Sequence, residues 1–248
     1  MFRMYARAGR SFLGNFPLFA LFAAILAAAD VIFEQLEMSN NGAIGASLVL
    51  YAMATLYSHR LLLSGEKIPM GALFRKSKNG PLAGPQGPFM LKLIVFWLLA
   101  AVAWALCSWG IYNTLEAPDR GKIFGVVILG ILPAALLVYV VLALLGTVLP
   151  AAAALQDSGF SNALARGQRT FWVTLFRLLS GNGLFSLAGF AGMMLLILSM
   201  GNSSMIVVEA GLGFLGELVG FFGIHLTAAA LCMAYEDSLQ TSGERVPG

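Results

Sequence analysis

Residues 123–156 read IFGVVILGILPAALLVYVVLALLGTVLPAAAALQ, a run without one Asp, Glu, Lys, Arg or His. At 1.5 Å per residue, about 20 apolar residues cross the hydrocarbon core of a bilayer, so this run holds one span and an extension. Pro133 and Pro150 are expected to kink or end it, because proline lacks the N–H that helix continuation needs.

Working outward, Leu93 to Tyr112 is a second charge-free run, and Phe16–Phe33, Gly42–Leu63, Leu178–Met200 and Val207–Tyr235 are four more apolar stretches of similar length. The expected fold is an all-α integral membrane protein. Its six-helix bundle spans about 16–33, 42–63, 93–112, 123–149, 178–200 and 207–235, and residues 1–248 form a single membrane domain. Composition agrees. Of 248 residues 59% are hydrophobic and 11% charged, against roughly 25% charged in a soluble domain. Mean hydropathy is +0.83. Too few charges remain to cover a water-exposed surface.

Basic residues set the orientation. Arg3, Arg7 and Arg10, the group from Arg60 to Lys92, the group from Arg166 to Arg177, and Arg245 hold 13 of the 15 Lys and Arg, and all fall on one side if the spans alternate. Arg120 and Lys122 fall on the other. The positive-inside rule therefore places both termini in the cytoplasm. The net charge of +3 is spread over these links rather than gathered in one patch, so no nucleic-acid partner is expected. The N-terminus imitates a signal peptide or a mitochondrial presequence, with arginines, an apolar stretch and Ala27-Ala28-Ala29. We read it as a retained first span. Cys107 and Cys232 both lie in apolar runs and read as small buried hydrophobes rather than as a disulfide. The link at 64–92, with Pro69, Pro81, Pro85 and Pro88, is expected to be irregular.

An internal repeat appears at a constant offset of 159: Ala6-Arg7-Ala8-Gly9-Arg10-Ser11-Phe12 against Ala165-Arg166-Gly167-Gln168-Arg169-Thr170-Phe171. Both copies precede an apolar run. Residues 1–15 and 156–177 are therefore expected to hold short amphipathic helices at the inner interface. In the first, Tyr5 and Phe12 share one face; in the second, Phe160, Leu164, Gly167 and Phe171 do. Arg7, Arg10, Arg166 and Arg169 are the candidates to meet lipid phosphates, since a guanidinium pairs bidentately with phosphate oxygens. Shared need for basic and aromatic residues at any inner helix end explains the same pattern without a repeat.

Gly211, Gly213 and Gly216 satisfy G-x-G-x-x-G, but inside a span the strand and helix opening that a dinucleotide site requires are missing. Gly213, Gly216, Gly220 and Gly223 are better read as a small-residue face for close helix packing. Glu217 sits in the middle of that span, where a carboxylate costs roughly 2.5–3.5 kcal/mol on insertion scales. It is either a proton or substrate site or a hydrogen-bonded packing residue. His225 lies eight residues on, roughly 12 Å along the axis and rotated by about 80°. Asp30 and Glu209 read as interfacial. Asn202-Ser203-Ser204 fits a glycosylation sequon, a common pattern. His59 and His225 have no ligand spacing around them, so neither a metal nor a cofactor is expected, and no catalytic triad or phosphate loop is recognisable.

Thr147-Val148-Leu149-Pro150 through Asp157, then Ala163-Leu164-Ala165-Arg166-Gly167 and Thr170-Phe171-Trp172, form a span ending in small residues, a short helix and an aromatic entry to the next span. With the Arg10–Phe16 run at the start, this resembles the YciC-like and glycerophosphodiester phosphodiesterase membrane-domain families. The resemblance implies a bacterial inner-membrane protein. It implies no catalysis, because no phosphodiesterase domain accompanies these residues, and it carries over no active-site residue.

The function expected first is a non-enzymatic scaffold or envelope-associated component that contacts membrane lipids, with a membrane protein or a second copy as possible partner. A small proton-linked transporter or exporter using Glu217 comes second, and a lipid-modifying enzyme third.

Overall fold

A computed structural model describes residues 1–35, 41–65, 67, 86–114, 120–156, 158–200 and 206–242. The sequon at 202–204, Arg75, Lys76, Lys78, Arg245, Pro69, Pro81, Pro85 and the side chain of Glu209 lie outside the described residues. Among the described residues there is no strand. The helices are α1 (Phe2–Gly14), α2 (Phe16–Gln35), α3 (Asn41–Ser64), α4 (Gly87–Tyr112), α5 (Arg120–Leu145), α6 (Val148–Ala153), α7 (Phe160–Leu178), α8 (Leu184–Met200) and α9 (Ile206–Ser242), with a π-helical segment, Leu179–Gly183, joining α7 to α8.

Five of these stretches are long and apolar enough to cross a membrane: Phe16–Phe33, Ile44–Ser64, Gly87–Tyr112, Phe160–Leu196 and Ala210–Thr241. The chain is thus an all-α protein of the multi-pass membrane kind. The apolar part of α5 described in full is shorter, Leu129–Leu145.

Prolines decide where helices stop, though not always where expected. Pro17 follows the end of α1 and sits in the first turn of α2. Continuing α1 through it would leave the Leu13 carbonyl without a donor and press the ring into it. Asn15 therefore breaks the helix, its amide donating to Ser11 O at 2.9 Å. Pro133 lies inside α5, which runs on to Leu145. The break expected from Pro150 occurs earlier, at Gly146-Thr147. Pro150 belongs to the first turn of α6, where an N–H has no helical partner anyway. Pro88 likewise opens α4 rather than interrupting a loop. At the end of α6 the N–H of Gln156 reaches Ala151 O and that of Leu155 reaches Ala152 O, a Schellman closure. Leu155 holds the left-handed position, φ 57°, that glycine normally takes.

The centre of the molecule is α9. Of its apolar window 61% is buried, against 17% for α4. It packs on α2, α3, α1 and α7. All six residues of α6 are buried as it wedges among α3, α4 and α9. Phe12, Phe19, Phe22, Tyr57 and Phe221 form the aromatic heart of the core, with Phe12 stacked on Phe19 at 4.5 Å. Large apolar side chains face outward on α4, α5 and α8, among them Leu98, Trp109, Leu136, Leu187 and Phe190, as a lipid solvent permits and water does not.

The two basic stretches differ from each other. α1 is a separate helix. The second stretch is not a short helix ahead of its span: α7 continues through the π segment into α8, and 160–196 is one apolar run. Its buried face is Ala163, Gly167, Thr170, Thr174 and Leu178. Of the stripe expected from sequence, Phe160 and Leu164 face outward and only Gly167 is deep. A Cβ on Gly167 would stand 1.9 Å from Leu144 O, so α5 and α7 touch backbone to backbone there. α1 buries Met4, Ala8 and Phe12.

Candidate functional site

A polar seam runs between α3 and α9. Near its upper end the Tyr51 hydroxyl donates to Glu217 Oε2 at 2.6 Å. Asp30, exposed on α2, is close enough for its charge to act on both groups. Glu217 therefore turns toward the bundle and is half-buried. Two turns further along α9, His225 Nδ1 and Ser58 Oγ share a hydrogen bond of 2.9 Å. The His225 ring meets Phe12 and Phe19 edge-on at 5.8 and 5.4 Å. His59 Nδ1 lies 2.9 Å from Thr55 O. A carbonyl only accepts, so Nδ1 carries a proton. The Nε2 atoms of both histidines are buried without a partner. Cys232 is buried, with Sγ 3.9 Å from His59 O, whereas Cys107 is only half-buried. Spacing along α9 puts Glu217, Phe221, His225 and Cys232 on one face, which is why one partner helix, α3, meets all four.

At the other end of the seam three consecutive residues of α9 receive three arginines. Arg7 donates from Nη1 to Glu236 Oε2 and from Nη2 to Oε1, both at 2.5 Å, and from Nη2 to Leu62 O at 2.6 Å. The hydrogen bonds with Glu236 raise the Arg7 pKa further, so it stays charged. Arg177 donates to Asp237 Oδ2 at 2.7 Å. Arg166 stands over the ring of Tyr235, 5.3 Å from its centroid. Arg10 is exposed, and its Nε donates to Ala6 O of its own helix. Arg169 is exposed. Of the four arginines read as facing lipid, Arg7 is thus occupied within the protein, while Arg10 and Arg169 point outward.

The glycine face of α9 meets no single helix along its length. A Cβ at Gly213 would touch Ala27 of α2 at 3.8 Å, one at Gly216 would touch Met193 at 3.7 Å, and one at Gly220 would touch nothing within 4 Å. Only at Gly223 does the approach become close, 2.6 Å to Asn182 Oδ1. Between α8 and α9, Gly216, Gly220 and Gly223 line an open cleft of ≈330 Å³. Its polar end is held by Asn182, whose side-chain amide donates to the Tyr139 hydroxyl at 3.3 Å and accepts from Ser186 at 2.9 Å.

Sequence reading missed Tyr51, Ser58, Tyr235, Glu236, Asp237 and Asn182. The first two could have been found from their i, i+7 spacing on α3, which puts two polar residues on the face of an otherwise apolar helix. Among the described residues no group of three or more His, Cys, Asp or Glu is placed to hold a metal. These features define a multi-pass helical membrane protein with a carboxylate inside an apolar helix and an arginine-rich end. Comparison with protein-family models, with curated proteins and with solved structures finds no match in any of the three.

Proposed function

We propose that the chain is a non-enzymatic, lipid-contacting component of the bacterial inner membrane, with six spans and both termini cytoplasmic. The observation that carries this reading is the outward side of the two basic stretches. Arg10 lies beside Leu13, which is 71% exposed, and Arg169 beside Trp172, which is 77% exposed. Guanidinium groups next to bare apolar side chains suit the headgroup boundary, where phosphate and upper acyl carbons lie together. The sixth span is α5. Its support is parity: α1 and the C-terminal end of α9 meet through Arg7 and Glu236, and two ends on one side require an even number of crossings. The basic bias makes that side the cytoplasm. The resemblance to the YciC-like membrane proteins points the same way.

Retention on anionic liposomes tests the lipid reading. Arg10→Gln with Arg169→Gln should reduce it against the parent protein; equal retention would overturn it. Labelling of single cysteines in intact cells, on a background lacking Cys107 and Cys232, tests topology. A cysteine at Ser64 should resist an impermeant reagent.

A second reading, a small proton-linked transporter, rests on Tyr51, Glu217 and Asp30. Two carboxylates and a phenol gathered among apolar helices form the kind of group that carries protons in transporters. Proton flux in proteoliposomes that is the same for the parent and Glu217→Gln would remove it.

A further inference from the structure

The offset that aligns the two basic stretches sets Arg166 where the first has Arg7, yet the two guanidinium groups are satisfied very differently. Both nitrogens at the end of Arg7 are filled by the Glu236 carboxylate, with Leu62 O completing the set. Among the described residues no carboxylate pairs with Arg166. Its Nε reaches Thr147 Oγ1 at 3.5 Å, the outer limit of a hydrogen bond, and its Nη2 is buried without a partner. Its Cζ stands over the Tyr235 ring, 5.3 Å from the centroid, and its Nε–Nη2 edge, a side on which a guanidinium makes paired hydrogen bonds, holds only the long contact with Thr147 among the described residues. Arginine cannot escape by losing its proton. A desolvated N–H with nothing to accept it is disfavoured, and buried polar groups in folded proteins nearly always have partners.

The surroundings are built rather than accidental. The Tyr235 hydroxyl that flanks Arg166 donates to Gln156 Oε1 at 2.6 Å. Two residues on, Ser158 Oγ accepts from Lys92 Nζ, which brings a second cation to the same loop. That loop begins at Leu155, whose left-handed backbone is uncommon outside glycine. Lys92 through Ser158, and Arg166 through Tyr235 and Gln156, are thus each tied to the connection between α6 and α7.

We propose that Arg166 is the core of a phosphoryl-oxyanion site, in which its unsatisfied Nη2 and weakly bonded Nε take two oxygens of a phosphate. The phosphate is that of a membrane lipid headgroup or a free phosphate. In the lipid case the site rests on the lipid-contacting reading above and gives it a defined residue.

The test uses full-length protein in a neutral detergent, titrated separately with phosphatidylglycerol, with diacylglycerol and with inorganic phosphate. Two readouts are followed: the thermal unfolding midpoint, and modification of Arg166 by phenylglyoxal, measured by peptide mass spectrometry. Phosphatidylglycerol should raise the midpoint and protect Arg166, whereas diacylglycerol, lacking the phosphate, should do neither. Matching protection by inorganic phosphate assigns the site to free phosphate; protection by the lipid alone assigns it to a headgroup. Arg166→Gln should weaken the apparent affinity about tenfold or more, given the strength of charged hydrogen bonds. Arg166→Lys, which keeps the charge without the fork, should weaken it less. The modification readout needs no variant, so poor folding of either does not remove the test. Failure of both phosphate compounds to protect Arg166, or a wild-type response from both variants, overturns the site. If the lipid stabilises parent and Arg166→Gln equally, the site falls while the lipid reading stands. If only inorganic phosphate protects, the site stands without support for the lipid reading.

Discussion

The two basic stretches begin alike and end differently. In the first, α1 stops at Asn15 and the chain re-enters as α2; in the second, α7 runs unbroken through a π segment into α8. Offset by 159, Pro17 corresponds to Phe176, and that one exchange accounts for the difference. Where proline removes a donor the helix must break; where phenylalanine keeps it, the helix absorbs its misfit as an extra residue in one turn. The two solutions then fit together. The Tyr5 hydroxyl of α1 donates to Ser180 O at 2.7 Å and Gly181 O at 3.1 Å, inside the π segment. A second difference lies at Ala8 and Gly167, which share the same place in the repeat. Ala8 is fully buried with its methyl accommodated, whereas Gly167 lies against the Leu144 backbone.

That last contrast predicts the largest effect. Gly167→Ala should destabilise by more than about 3 kcal/mol, because the added carbon meets main chain that cannot yield, whereas Ala8→Gly should cost only about 1 kcal/mol. Thermal unfolding in detergent compares them. Similar midpoints would mean that α5 and α7 do not touch as described.

The arginine pairs come next. Glu236→Gln leaves the partly buried Arg7 with a neutral partner and should cost about 2 kcal/mol. Asp237 has a more exposed side chain, 44% accessible, so Asp237→Asn should cost about 0.5 kcal/mol. Reversal of that order in urea or thermal unfolding would show that α7, not α1, is held by charge.

Within the seam, Tyr51→Phe removes the donor to Glu217 and should cost about 1 kcal/mol. Glu217→Gln in the Tyr51→Phe background should then cost less than it does alone. Additive losses in this double-mutant cycle would deny the pair any coupling.

The smallest effect concerns the loop that leads into the second stretch. Leu155→Gly should stabilise by up to about 1 kcal/mol, because glycine takes φ 57° without the Cβ penalty that leucine bears. A fall in stability would show that the exposed leucine side chain contributes more than its backbone strain costs.

Much of this was legible in the chain. Charge-free runs located the long helices to within a few residues at α2 and α3, because lipid filters composition harshly and helices are nearly the only backbone it accepts. That Glu217 lies within the apolar stretch of α9 was equally plain. What the runs did not reveal was where Pro150 acts, since a proline ends one helix or opens the next depending on where the chain has already turned.

By itself the sequence determined the medium, the helical class and the places where polarity had to be explained, since each of these follows from local composition and period. Only the tertiary structure decided partners. Nothing near Arg7 announces Glu236, 229 residues away, nor near Arg166 the ring of Tyr235 that stands where a carboxylate would be expected. A guanidinium's role depends on which acceptor the packing brings to its edge, and packing is set by the whole bundle. Two arginines in matching sequence positions therefore end as a filled ion pair and a fork with an unsatisfied nitrogen.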